Sequence, residues 1–166
     1  MSNLKELEKK YEELGEEIER LKREERKDGV CPDCIFLLST EEYEKYKSKI
    51  PDINCWWWLR SPTYRFGRAA AVSCDGSVSD YGDYVGYNNG AVRPALRYLH
   101  NSLGQEWKVA DNRIFRCGIT WIKIDENLYI AEVPIAFRRF DGYSNNYQTS
   151  EIRQFLLNWC QERANW

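Results

Sequence analysis

Cys55-Trp56-Trp57-Trp58-Leu59 is the stretch on which the reading of the fold turns. It is apolar, short and bounded by polar residues, so it reads as a strand. Successive side chains on a strand point to opposite faces, so its three large rings cannot all be buried on one side of a sheet. Downstream, Ala69–Ser73 and Val78 flank Asp75-Gly76, a hairpin signal. Val85 and Val92–Leu96 read as further short strands, separated by the turn chemistry of Asn88-Asn89-Gly90. Upstream, Cys34-Ile35-Phe36-Leu37-Leu38 is a continuous apolar run of strand length. Ser39-Thr40-Glu41-Glu42 is then an S-x-x-E helix start, with Tyr43 and Tyr46 on one side of a short helix that Pro51 ends.

Residues 100–112 are the most polar stretch between apolar blocks and read as a linker. A second block follows, Ile114–Cys117, Thr120–Ile124 and Leu128–Val133, with Asp125-Glu126-Asn127 turning between the last two. After a loop at Asp141–Asn146, a helix capped near Thr149 places Ile152, Phe155, Leu156, Trp159 and Cys160 at i, i+3, i+4, i+7 and i+8. That is an amphipathic face for a core. Short strands with intervening helices and no βαβ regularity argue for an α+β domain over 30–166, comprising a 30–99 half, the 100–112 linker and a 113–166 half.

The first 29 residues differ in kind. Leu4, Leu7, Tyr11, Leu14, Ile18 and Leu21 are spaced 3-4-3-4-3, the a/d seam of a coiled coil. Asn3 with Glu6 resembles a capping box, and Asp28-Gly29 is a stop. Ile18 at a, with leucine at every d, favours two parallel strands, and Glu17 would face Lys22 of a partner. Three heptads are marginal alone, so a parallel homodimer is expected.

The chain has 166 residues and a net charge of -2, which gives no general attraction to phosphate backbones or anionic membranes. No apolar stretch reads as a signal peptide or a membrane span, so a cytoplasmic protein, in a host cell's cytosol, is expected. A single histidine, His100, excludes metal sites built on several histidines. Cys31-Pro32-Asp33-Cys34 supplies only half of a tetrahedral zinc site. It reads as two thiols in a linker, with a zinc clip shared by two chains as the alternative, and no cofactor is expected. Cys117 and Cys160 read as small core residues.

Trp57-Trp58-Leu59-Arg60-Ser61-Pro62, Ala69-Ala70, Asp75-Gly76-Ser77-Val78 and Val92-Arg93-Pro94-Ala95-Leu96 together resemble one family. It is the uncharacterised domain with WWLRSP and VRPAL signatures, widespread in Firmicutes and their phages, and the resemblance covers 35–99. Trp121–Asp125 with Leu128–Val133, and Tyr147–Leu156, resemble that family's other half, which implies a circularly permuted order with 100–112 as the new connection. A weaker similarity, to C-type-lectin-like domains including the variable proteins of diversity-generating retroelements, implies a C-type-lectin-like frame. A coiled coil ahead of this domain resembles small phage accessory proteins.

Between the frame motifs lie Tyr64, Arg65 and Phe66, then Tyr81, Asp83, Tyr84, Tyr87, Asn88 and Asn89. Tyrosine alternating with Asp, Asn, Ser and Gly in turns is the composition of an adaptable recognition surface. The bland reading is a turn-rich edge whose tyrosines cover the tryptophans. Arg60 and Arg93 sit inside apolar motifs and are expected to tie strand ends through carbonyls or a carboxylate such as Asp75 or Asp80.

Enzymatic readings find no support in spacing. Cys55 and Cys74 could form a pair of the formylglycine-generating type only if their strands neighbour, and Cys74 with His100 needs a juxtaposition nothing indicates. The aromatic–basic run Tyr64–Arg68 is too short to make nucleic acid an expected partner. The expected function is therefore non-enzymatic binding of a host protein by a phage or prophage protein. By analogy with small phage inhibitors, it extends to inhibition of a defence complex such as a CRISPR–Cas nuclease. Lectin-type carbohydrate or small-ligand binding is the alternative, and an enzyme of formylglycine-generating-like fold a further one.

Overall fold

The computed structural model describes residues 2–25, 34–79, 81–97 and 107–163. The chain is mixed α+β, with three α-helices and two sheets among the described residues. The first helix, α1 (Ser2–Glu25), precedes the rest, and residues 7–18 are exposed all round. Among the described residues no helix is long and apolar enough to cross a membrane. The zinc clip and the Cys74–His100 couple need Cys31 and His100, which lie outside the described residues, as do Asp80 and the side chains of Leu4, Leu21 and Lys22.

In chain order the body contains β1 (Ile35–Phe36), α2 (Thr40–Tyr46), β2 (Trp57–Pro62), β3 (Arg68–Val72), β4 (Asp83–Tyr84), β5 (Ala91–Val92) and β6 (Ala95–Arg97). Then come β7 (Trp107–Ala110), β8 (Arg113–Arg116), β9 (Ile119–Asp125), β10 (Leu128–Ala131), β11 (Ala136–Phe137) and α3 (Glu151–Arg163). One sheet has the order β1-β6-β10-β9-β8-β7 and the other β11-β5-β2-β3-β4. All pairings are antiparallel except that of β2 with β5.

The 100–112 stretch is not simply a connection. Its residues 107–110 are β7, an edge strand paired with β8 through Trp107↔Phe115 and Lys108↔Ile114. The physical reason is in Trp107-Lys108-Val109, where two apolar residues flank a polar one with the two-residue period of a strand.

The α2 start forms as its sequence dictates. Glu42 N–H donates to Ser39 Oγ, and Ser39 N–H donates to Glu42 Oε2, a reciprocal capping box that satisfies two orphan donors. Tyr43 and Tyr46 are buried beneath it. In α3, Ile152, Leu156, Trp159 and Cys160 are buried and Phe155 packs against the core.

β2 lies inside its sheet with both faces covered, which is how three consecutive tryptophans are accommodated. Trp57 meets Tyr43 edge-on at 5.4 Å, while Trp58 meets Phe140 at 5.6 Å and Trp56 at 4.8 Å. The Trp58 indole N–H donates to the Arg138 carbonyl, so the ring is buried with its polar edge satisfied.

The two sequence halves are woven together at one corner. β5 and β6 belong to different sheets although only Arg93 and Pro94 separate them, and β10 and β11 make the same crossing alongside. The two crossings are bonded to each other, Ala131 N–H to the Pro94 carbonyl and Ile135 N–H to the Val92 carbonyl. Proline has no N–H to contribute to a ladder, so it suits the point where pairing changes sheet. Arg93 fills this corner, fully buried, donating from Nε to the Ala131 carbonyl and from Nη1 to the Pro51 carbonyl.

Candidate recognition surface

Three loops meet at one end of the β2–β3–β4 side of the molecule. The first is the 63–67 turn between β2 and β3. Its Tyr64 and Phe66 side chains are 72% and 85% exposed, too open to serve as core cover. The second runs from residue 81 to 90, where Tyr81, Tyr84 and Tyr87 are exposed while Val85 between them is buried. The third is the 141–146 loop, which carries exposed Tyr143.

Backbone pairing fixes these loops to one another. β3 and β4 pair Arg68↔Tyr84 and Ala69↔Asp83, and Val85 N–H donates to the Gly67 carbonyl. The Val85 carbonyl in turn accepts the N–H groups of Phe140 and Asp141, so the tyrosine loop is held from both flanks. Gly82 allows the closest of these approaches. It has φ +62, and a Cβ there would lie 2.3 Å from the Ala69 carbonyl oxygen. Asn145 ties the third loop to the first, its Nδ2 donating to the carbonyls of Arg68, Arg65 and Thr63 at 3.0, 3.3 and 3.4 Å.

The rings themselves are clustered. Tyr64 and Tyr81 lie 6.0 Å apart, and Tyr84 and Tyr87 meet edge-on at 5.8 Å. Arg65 stacks on both members of the first pair, 4.8 Å from the Tyr81 ring and 5.7 Å from Tyr64. The result is a cationic group held on an aromatic platform, with its face toward solvent. A Cβ on Gly67 would touch Tyr84 Cε2 and the Tyr143 carbonyl oxygen, both at 3.5 Å, so Tyr143 continues the same surface.

Two aspartates lie within these loops. Burial pushes the Asp83 carboxyl above its usual value, with Arg68 acting against it, and Arg68 also donates to the Gly82 carbonyl. For Asp141, burial pulls upward but is outweighed by the N–H groups of Ser144, Tyr143 and Glu151, so its carboxyl sits below the usual range.

Of the residues singled out in the sequence, Tyr64, Arg65 and Tyr81 come together, and Tyr84 and Tyr87 form a second cluster beside them. Phe66 projects from the same turn, while Asn88 and Asn89 are exposed further along the second loop. Tyr143 and Asn145 were not anticipated. Their segment, Asp141-Gly-Tyr-Ser-Asn-Asn146, has the same turn composition as the other two loops, and that signal was available.

Arg60 and Arg93 are internal ties. Arg60 Nη1 donates to the Leu37 carbonyl at 2.7 Å and to Glu42 at 2.5 Å. Neither arginine engages Asp75, which instead accepts from the Ser77 hydroxyl and N–H. Among the described residues no three His, Cys, Asp or Glu side chains gather as metal ligands.

A family model for a domain of unknown function (DUF6273) matches residues 12–97, which include the WWLRSP and VRPAL motifs. Neither a curated protein nor a solved structure matches the chain.

Proposed function

The chain belongs to the DUF6273 family, and with that family's function unknown we propose, from the surface itself, a non-enzymatic protein-binding module. The observation that carries this reading is the exposure of Tyr64, Tyr81, Tyr84 and Tyr87 on loops bonded to a rigid sheet, with Arg65 stacked among them. Tyrosine offers large contact area at low entropic cost, and a guanidinium over rings adds a directional cation. Rings at 45–72% exposure are not core cover for Trp57 and Trp58, which are already buried from both sides.

The exposed seam of Leu7, Tyr11, Leu14 and Ile18 supports a parallel coiled-coil homodimer as part of the same reading. Two recognition faces on one stalk then act together, raising avidity without new contacts. In the finer reading of the fold, the WLRS and VRP motifs frame a C-type-lectin-like domain, and 113–166 supplies the family's other half in permuted order. By analogy, the role extends to a phage or prophage inhibitor of a bacterial defence complex.

The test compares the wild-type chain with a triple variant, Tyr81→Ala, Tyr84→Ala and Tyr87→Ala, of matching circular dichroism. One stoichiometric host protein captured by the wild type and lost by the variant is the expected result. An unchanged set of captured proteins would overturn the assignment of this face, and calcium-dependent glycan binding would replace it with the lectin reading.

A further inference from the structure

The β2–β3 hairpin displays its recognition turn at one end and a pair of thiols at the other. In the register Trp57↔Val72 and Trp58↔Ala71, Cys55 and Cys74 each lie two residues beyond the last ladder pair, at the same end of the two strands. Paired residues of an antiparallel ladder have Cα atoms ~4.5–5.5 Å apart, so strand ends leaving such a pair start within reach of the ~4.4–6.8 Å that a disulfide spans. The two segments are packed together here independently of the ladder. A Cβ on Gly76 would lie 3.4 Å from Asp52 Oδ1, and Asp52, Ile53, Ser73 and Cys74 line one small cavity with Trp57 and Arg93. Both cysteines are free thiols, Cys74 exposed and Cys55 half-buried. Burial, and then the neighbouring Cys74, push the Cys55 thiol up, while Arg93 acts the other way.

We infer that Cys55 and Cys74 are a redox-responsive pair that closes a cross-strand disulfide over the base of the β2–β3 hairpin. The oxidant class is a low-molecular-weight disulfide, RS–SR. The exposed Cys74 thiolate attacks one of its sulfurs, the RS–SR bond breaks, and a Cys74–SR mixed disulfide forms while RS⁻ leaves and is protonated by water. Cys55 then gives its proton to solvent and attacks Cys74 Sγ, releasing the second RS⁻. Two protein thiols are oxidised and one small disulfide is reduced to two thiols. The Arg93 guanidinium favours the transient Cys55 thiolate in the second step. The new bond closes the strand pair that bears Tyr64, Arg65 and Phe66, so oxidation stiffens the recognition turn from its far end.

The experiment uses the full chain, oxidised glutathione as the probe, and peptide mapping after thiol blocking. The expected product is a Cys55–Cys74 cross-linked peptide, reversed by dithiothreitol, with the melting temperature raised by roughly 5–10 °C. In Cys55→Ser, Cys74 should stop at the glutathione mixed disulfide and the melting temperature should not rise. A wild-type chain that keeps both thiols free, holds glutathione on Cys74, or joins either cysteine to another cysteine or a second chain overturns the inference. The wild-type mapping decides the matter even if the serine variant fails to fold.

Discussion

The guanidinium of Arg93 lies over the indole of Trp57, 5.4 Å from the ring centroid, where the chain crosses from one sheet to the other. One residue thus packs on β2, bonds the end of β10 and bonds the segment entering β2. The arrangement is not fully balanced, because Nη2 is buried without a partner. Desolvation lowers the Arg93 pKa well below the usual guanidinium value, to about 10, with Tyr43 and Cys55 opposing it. A folded-state value below the unfolded one means that holding this charge costs stability at every pH below 10.

Arg93→Ala should therefore destabilise the fold by roughly 3 kcal/mol or more, through a cavity and two carbonyls left without their donor. Arg93→Met likewise removes the unrepaid charge and leaves the same carbonyls unpaired but keeps most of the volume, so it should cost clearly less. Urea unfolding of the two variants checks this, and equal losses would mean that the corner is held by the two hydrogen bonds of Arg93 rather than by packing.

Glu42 combines a helix cap with an ion pair to Arg60. Burial pulls its carboxyl up, but the Arg60 hydrogen bond, the Ser39 N–H and the charges of Arg60 and Arg97 outweigh it, leaving it below 4.5. A depressed acid contributes stability above its unfolded value and loses it as pH falls through its folded one. Glu42→Gln can keep the cap while removing the charge, and should cost roughly 1 kcal/mol at pH 7. The melting difference from wild type should close as pH drops below about 4. A constant difference down to pH 3 would contradict the ion pair's role.

Features set by neighbours in sequence were legible, and those set by distant partners were not. Ser39–Glu42, the Asp75-Gly76 turn and the Ile152–Cys160 stripe each carry their instruction within a few residues, and each forms as read. Nothing local tells β5 to pair parallel with β2, or the chain to change sheets at Arg93-Pro94, because both depend on where β10 and β11 arrive. The same limit hid the reach of Asn145 across some eighty residues to the 63–68 backbone, and left the neighbourhood of Cys55 and Cys74 dependent on the β2–β3 pairing. The tyrosine loops were legible as candidates by composition, while their grouping came from the β3–β4 pairing.

Asn145 offers a way to loosen the surface without touching its rings. Asn145→Ala removes one donor group shared by three carbonyls of the 63–68 turn. Global stability should fall by only about 1 kcal/mol, while amides at 65–68 should exchange hydrogen roughly tenfold faster. Partner capture should weaken although every tyrosine remains. Unchanged exchange in that turn would show that the β-ladder alone holds it.

The stalk makes the last prediction. Leu14, 61% exposed, lies at the centre of a seam that the rest of the described chain does not cover, and nothing lies within 4 Å of a Cβ placed on Gly15. An interior helix glycine costs ~1 kcal/mol relative to alanine, so Gly15→Ala should stabilise each helix by about that much. If the helices form fully only when paired, both gains appear in association, and dimerisation should tighten roughly 30-fold. Leu14→Asp places a charge in the seam and should yield monomers. Sedimentation velocity over a concentration series reads both effects. A chain that stays dimeric with Leu14→Asp pairs through some other surface, and one that is monomeric with Gly15→Ala does not pair through α1 at all.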